Sequence, residues 1–412
     1  MAGSIVVVSM RERGHLNRML PLVEGFVARG RVVHVLTDSL FRAEVEGCGA
    51  QFVDLFAGRP PESVDATSFP VVSRYMAFSV AFLDDIAREV EALEPELIVY
   101  DTFAIVAPLV GRRLGVPYVN VCAGHAMPPA RADAAWRAGP VIRTSAACWS
   151  AVATLREEHG VPTASRFAYG ELSPYLNVCC EPPEYLHPAD RAALEPLVFF
   201  GSVAPGQSGG GGETRPPIFG DGVRRAYVSF GTIIWRYFAA EALAALDVLS
   251  EVFSAEGVET VISLGGHAVD PEVRRRLIRP GIRVEHYVDQ WAVLGEADLF
   301  VTHHGLNSTH EAAFLEVPMV SYPFFHDQPV LARRCQELGL AVPLADTLGA
   351  PVEAARITEA LAVLERDREP IAARLAVASS WERGVIASRG DVVEQMLALA
   401  PSREPLQARL PA

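Results

Sequence analysis

Short apolar runs rich in β-branched residues alternate with helical patterns along most of the chain, and this alternation constrains the fold more than any other feature. In the N-terminal half the runs are IVVVS (5–9), VVHVL (32–36), LIVYD (97–101) and PYVNV (117–121), with amphipathic stretches such as MLPLVEGFVAR between them. Strands separated by helices pair in parallel, so the pattern predicts an α/β chain with doubly wound parallel sheets. The alternation then breaks. Residues 204–222, APGQSGGGGETRPPIFGDG, are rich in Gly and Pro and poor in apolar side chains, as in a linker or an exposed loop. Beyond it the alternation resumes with AYVSF, TVISL, IRVEH, DLFVT and PMVSY.

Two Rossmann-like domains follow from that break, the first at 1–205, a linker at 206–222 and the second at 223–385, with a C-terminal helical segment at 386–412 expected to pack back on the first domain. A chain of 412 residues, half of them hydrophobic, is long enough for two full cores. No apolar run approaches the roughly eighteen residues of a membrane span, and the opening MAGSIVVVSMRERG is too short in its apolar part for a signal peptide. A cytoplasmic protein is expected. The six cysteines form no CxxC, which suits buried thiols in a reducing compartment.

All 36 basic residues are arginine. Schiff-base chemistry and a P-loop lysine are thereby excluded. A net charge of −14 without any basic run argues against nucleic acid, which demands clustered positive charge. A small anionic ligand needs only a local field, supplied by backbone, Arg and His.

In doubly wound sheets ligands bind at the carboxyl ends of the strands. The loop after the first strand, MRERGHLN, has no GxGxxG, which disfavours a dinucleotide dehydrogenase. It carries His15 instead, and the strand at 97–101 ends in Asp101. A carboxylate bonded to one imidazole nitrogen leaves the other as a base. Alternatively, His15 packs on its helix and Asp101 caps one. In the second half, Gly231 and Thr232 follow AYVSF, SLGGHA ends another strand with a flexible turn, and HYVDQ (286–290) precedes a helix.

The densest stretch is 302–328, THHGLNSTHEAAFLEVPMVSYPFFHDQ. His310 and Glu311 begin the zinc pattern HExxH, but position 314 is Phe314, and adjacent His303 and His304 cannot both face one ion; no metal is expected. An anion site fits better. Gly305 permits a sharp exit from the strand, and Ser308 with Glu311 has capping-box spacing, so a helix is expected to open near Ser308 with its electropositive end toward a phosphate. The two residues can equally be a cap and nothing more.

These residues resemble the donor signature of the inverting nucleotide-sugar glycosyltransferases of plant secondary metabolism and bacterial antibiotic synthesis, a family of two facing Rossmann-like domains (the GT-B architecture). THHGLNSTHE with EVPMVSYPFFHDQ matches the family's run from Thr-His-x-Gly through Glu and Val-Pro to Asp-Gln, and RGHLN, SFGT (229–232) and YVDQ (287–290) agree in order. The resemblance implies that His303, Gly305, Asn307, Ser308 and Thr232 hold the diphosphate and Glu311 the ribose. It further implies that Asp327 and Gln328 bind the sugar, that Tyr287 stacks on the base and that Gln290 lines its pocket. It makes His15 the general base and Asp101 its partner, and it leaves His304, His310 and His326 without chemistry.

The implied activity is hexosyl transfer, with inversion, from a UDP- or dTDP-sugar to a hydroxyl of a small natural-product acceptor. Neither metal nor resident cofactor is implied. A nucleotide-sugar epimerase, or a binding protein without turnover, is the alternative. Three positions depart from the family: Arg18 replaces a frequent proline, Glu316 a usual glycine, and Asp289 a proline. Arg18 lies one turn past His15 if the helix opens at Leu16 or Asn17, where it meets either a polar acceptor or a surface carboxylate such as Glu12 or Glu24. Phe69, Tyr75, Phe78, Phe82, Met127 and Trp136, from the irregular parts of the first half, either line an apolar acceptor cavity or belong to the core.

Overall fold

In the computed structural model the described residues are 3–69, 71–122, 124–138, 143–165, 172–203, 217–220 and 224–400. The chain divides into two compact units, Ser202–Gly384 and a first unit that joins Met1–Gly201 to the chain from Val385 onward. Most of the linker expected at 206–222 lies outside the described residues.

The first unit is built on a seven-stranded sheet of order β3-β2-β1-β4-β5-β6-β7. Its strands are β1 (Ser4–Val8), β2 (Val33–Thr37), β3 (Gln51–Asp54), β4 (Pro95–Asp101), β5 (Tyr118–Cys122), β6 (Leu176–Cys179) and β7 (Leu197–Phe199). Every pairing is parallel, as in Ile5 against Val33 and Leu97 on its two sides. β1 is buried along its whole length, which is why it reads as an unbroken apolar run rather than an alternating one. Near the C-terminus, the helix Arg389–Leu397 lies on the first helix, Arg13–Val27. There Arg29 Nε pairs with Glu394 at 2.6 Å, and the Val393 side chain lies so close to Gly25 that a Cβ there would stand 2.8 Å from it.

The second unit carries a six-stranded parallel sheet of order β10-β9-β8-β11-β12-β13. The strands are β8 (Arg225–Ser229), β9 (Glu259–Ser263), β10 (Ile282–Glu285), β11 (Leu299–Thr302), β12 (Met319–Ser321) and β13 (Ala341–Pro343). Consecutive strands run outward from β8 on one side and from β11 on the other. The winding therefore reverses between β8 and β11, and in the first unit between β1 and β4. At such a reversal the connecting loops leave in opposite directions and open a crevice at the carboxyl ends. No helix among the described residues is long and apolar enough to cross a membrane.

Candidate active site

Both reversal points carry the residues that the strand-end argument singled out. In the first unit, His15 lies in the opening turn of the helix after β1, and Asp101 ends β4. His15 Nδ1 donates to Asp101 Oδ1 at 3.0 Å, and the carboxylate, wholly buried, also accepts the N–H groups of Met10 and Phe103, each at 2.7 Å. Asp101 therefore has its position fixed from two loops before it touches the imidazole. With Nδ1 holding the hydrogen, Nε2 at the far end of the ring is the nitrogen with a lone pair. The Phe103 ring, 4.4 Å away centroid to centroid, packs on the imidazole and restricts its rotation.

The helix opens at Arg13, earlier than the Leu16 or Asn17 expected, because Glu12 C=O already accepts the His15 and Leu16 N–H groups. Arg18 thus falls inside the helix and is buried, within electrostatic reach of the Cys180 thiol. Phe69, Tyr75, Phe78, Met127 and Trp136 are interior side chains: Phe69 meets Trp136 edge to face at 6.2 Å, and Phe78 packs on both Phe56 and Phe82.

In the second unit the reversal point is a glycine-walled seat for an imidazole. His303 follows β11, only 8% exposed. A Cβ added at Gly231 or at Gly305 would stand 2.7 or 2.5 Å from His303 Nε2, so no other residue leaves room for the ring. Gly231 also needs its φ of 69°, a left-handed value that side chains disfavour. Burial pushes the His303 pKa down to about 4, against an opposing pull from the Asp327 carboxylate. The ring is thus neutral near pH 7 and adds a hydrogen-bonding group without a fixed charge. Beside it starts the helix Leu306–Phe314, whose first-turn N–H groups have no intrahelical acceptor.

That helix begins two residues before the Ser308 start expected, with Gly305 at the N-cap and no side-chain cap. The capping box does not form, because Ser308 and Glu311 turn instead to Gln290, the first residue of the next helix over. Gln290 Nε2 donates to Glu311 Oε2 at 2.7 Å and to Ser308 Oγ at 3.3 Å. Asp289, where the family has proline, accepts the Ala292 N–H and caps the Gln290 helix. Thr232 is exposed, Asn307 half-buried, and Tyr287 presents 68% of its surface to solvent.

Farther along the edge, Gln328 is buried and its Oε1 accepts the Phe324 and Phe325 N–H groups, at 3.0 and 3.4 Å. It therefore shapes the loop that presents Asp327, which has the His326 imidazole 3.3 Å away. His304 bonds to Thr309 and Ser321, and His310 pairs with Glu382 at 2.6 Å in the interior. Glu316, standing where the family has glycine, does so at a φ of 60°. Two contributors went unsignalled in the sequence. Phe103 reads as an ordinary loop residue, and Tyr227, whose hydroxyl meets Gln290 at 3.3 Å, reads as an ordinary strand former.

Residues 227–364, which lie within the second unit, match the family described as UDP-glucoronosyl and UDP-glucosyl transferase. Over these residues the chain resembles the nucleotide-sugar glycosyltransferases. Among its relatives, the oleandomycin glycosyltransferase of Streptomyces antibioticus is 26% identical over 83% of this chain and 79% of its own length. An NDP-glycosyltransferase of Bacillus subtilis is 25% identical, covering 89% of this chain and 90% of that one. In structure, the chain resembles the glycotransferase of kitacinnamycin with a TM-score of 0.74 at 24% identity, covering 96% of this chain and all 100% of that one. The chain thus has the two parallel-sheet α/β domains of the GT-B architecture.

Proposed function

We propose that this chain is a glycosyltransferase that moves a hexose, with inversion, from a UDP- or dTDP-sugar to a hydroxyl of a small natural-product acceptor. One observation carries the catalytic part: the 3.0 Å bond between His15 and Asp101 at the reversal point of the first sheet. A protein that only binds has no use for an oriented imidazole. In the reaction, His15 Nε2 takes the proton of the acceptor hydroxyl as its oxygen bonds to the anomeric carbon from the face opposite the diphosphate. The bond from that carbon to the diphosphate oxygen breaks, and its electron pair leaves with the nucleotide. Asp101 steadies the imidazolium that forms. A base so placed contributes about 10²–10⁴ in rate.

The leaving charge falls to the second unit. The start of the Leu306–Phe314 helix and the His303 imidazole offer hydrogen bonds to the diphosphate without reorganising, in the manner of a preformed anion hole. Glu311 receives the ribose hydroxyls, Tyr287 stacks on the base, and Asp327 meets the sugar. No metal takes part in this scheme.

The test is His15→Ala, assayed by mass spectrometry with a panel of aglycones and both nucleotide sugars. Transfer should fall by about 10²-fold or more, while calorimetric affinity for UDP or dTDP stays within twofold. Turnover near the parent's would remove His15 as the base. Conversion of the donor sugar without any acceptor would instead identify an epimerase.

A further inference from the structure

Tyr227 sits near the middle of β8, buried, with its ring stacked on Phe300 at 4.8 Å. Its phenol oxygen joins two parts of the donor edge. The hydroxyls of Ser229 and Ser263 stand close enough to favour its ionised form, and they accept the N–H groups of Gly231 and Gly265, each at 3.3 Å. The phenol hydrogen then goes to Gln290 Oε1 at 3.3 Å. Burial pushes the phenol pKa up, so this hydrogen is retained throughout the working pH range.

The consequence is a fixed amide. A carboxylate only accepts, so the Gln290 atom 2.7 Å from Glu311 is the nitrogen, and the oxygen faces the one group placed to donate strongly to it. Ser308 offers the other contact to that oxygen, at 3.4 Å. Without the phenol, Gln290 keeps its partner on the Glu311 side and loses its main anchor on the strand side.

We propose that Tyr227 is a positioning residue for the nucleoside half of the donor: through Gln290 it holds the Glu311 carboxylate in the attitude that receives the ribose hydroxyls. The inference rests on the donor-site reading given above. It separates two jobs on one sheet edge, since the glycine-walled seat of His303 serves the diphosphate and the Tyr227 chain serves the ribose.

The experiment compares UDP and inorganic pyrophosphate by calorimetry on the parent, Tyr227→Phe, Gln290→Ala and the double variant. Tyr227→Phe keeps the ring and its stacking, and should weaken UDP about three- to tenfold, the loss of one buried hydrogen bond. Pyrophosphate, which has no ribose, should bind within twofold of the parent. The double variant should bind UDP no worse than Gln290→Ala alone, because Tyr227 acts only through Gln290. In turnover, the donor KM should rise while kcat stays within twofold. Equal weakening of UDP and pyrophosphate, unchanged UDP affinity in Tyr227→Phe, or full additivity in the double variant would each overturn the relay. A parent that binds neither UDP nor dTDP overturns the donor-site reading itself, and the relay with it.

Discussion

Gly305→Ala isolates the tight seat of His303 from every other reason a glycine can matter. Gly305 has φ −63° and ψ 143°, a backbone that alanine adopts freely. Reduced freedom of the unfolded chain even favours the variant, by about 0.4–1 kcal/mol. Against that, the new methyl would stand 2.5 Å from His303 Nε2 and 2.9 Å from Cε1, so the buried ring must swing away. Overpacking of this kind costs about 1–3 kcal/mol. The net loss, about 1–2 kcal/mol, corresponds to a melting temperature lower by about 2–8 °C for units of this size. Donor affinity should suffer far more. Displacing the imidazole forfeits a hydrogen bond to a charged phosphate, about 1.5–3 kcal/mol, or roughly ten- to a hundredfold in Kd.

Differential scanning fluorimetry and UDP titration on the same preparation read both quantities. Gly266→Ala is the control: its φ is 83° and nothing lies within 4 Å of the added Cβ, so it suffers backbone strain alone. If folded Gly305→Ala binds UDP within threefold of the parent, or if Gly266→Ala weakens UDP equally, the seat of His303 is not where the diphosphate goes.

Acid should unfold the second unit in a defined window. Burial lowers the pKa of His303 to about 4 and of His304 to about 3, from an unfolded value of 6.5. Above pH 6.5 neither state is protonated; below it the unfolded chain takes up protons that the folded one refuses, so stability falls as pH drops toward 4. Each unit of pKa difference is about 1.4 kcal/mol, so His304 alone should cost about 2–3 kcal/mol by pH 4.5. Asparagine tolerates the φ of 59° at this position, and His304→Asn should flatten the urea midpoint between pH 6.5 and 4.5; an unchanged slope would refute the assignment. Transfer should also survive thorough EDTA treatment, and a loss restored by magnesium or manganese would mean that the diphosphate is not held by backbone and His303 alone.

Nine of the thirteen strands among the described residues were legible because buried parallel strands need continuous apolar runs; the short, partly exposed β3, β7 and β13 and the four-residue β6 were not. His15 and Asp101 were legible for a related reason. The position of a reversal point depends on strand order, but any doubly wound order puts strand ends on the ligand edge, where Asp101 closes β4 and His15 lies in the opening turn of the helix after β1. The start of the Leu306–Phe314 helix was not. Ser308 and Glu311 have the spacing of a local cap, and only the arrival of Gln290 from another loop turns both side chains away from it. Tyr227 was invisible for the same reason, since its partner is 63 residues distant. For Phe69, Tyr75, Phe78 and Trp136, helical spacing alone cannot separate an interior side chain from a cavity wall, and the structure places all of them inside.

The first unit is assembled from the two ends of the chain, whereas the second is one continuous stretch, Ser202–Gly384. A ribosome therefore releases a complete second unit while the first still awaits its last piece. Until residues 389–397 emerge, Gly25 in the first helix lacks the Val393 side chain that packs against it, and Arg29, just past that helix, lacks Glu394. The nascent chain thus carries an unfinished first unit after the second is complete.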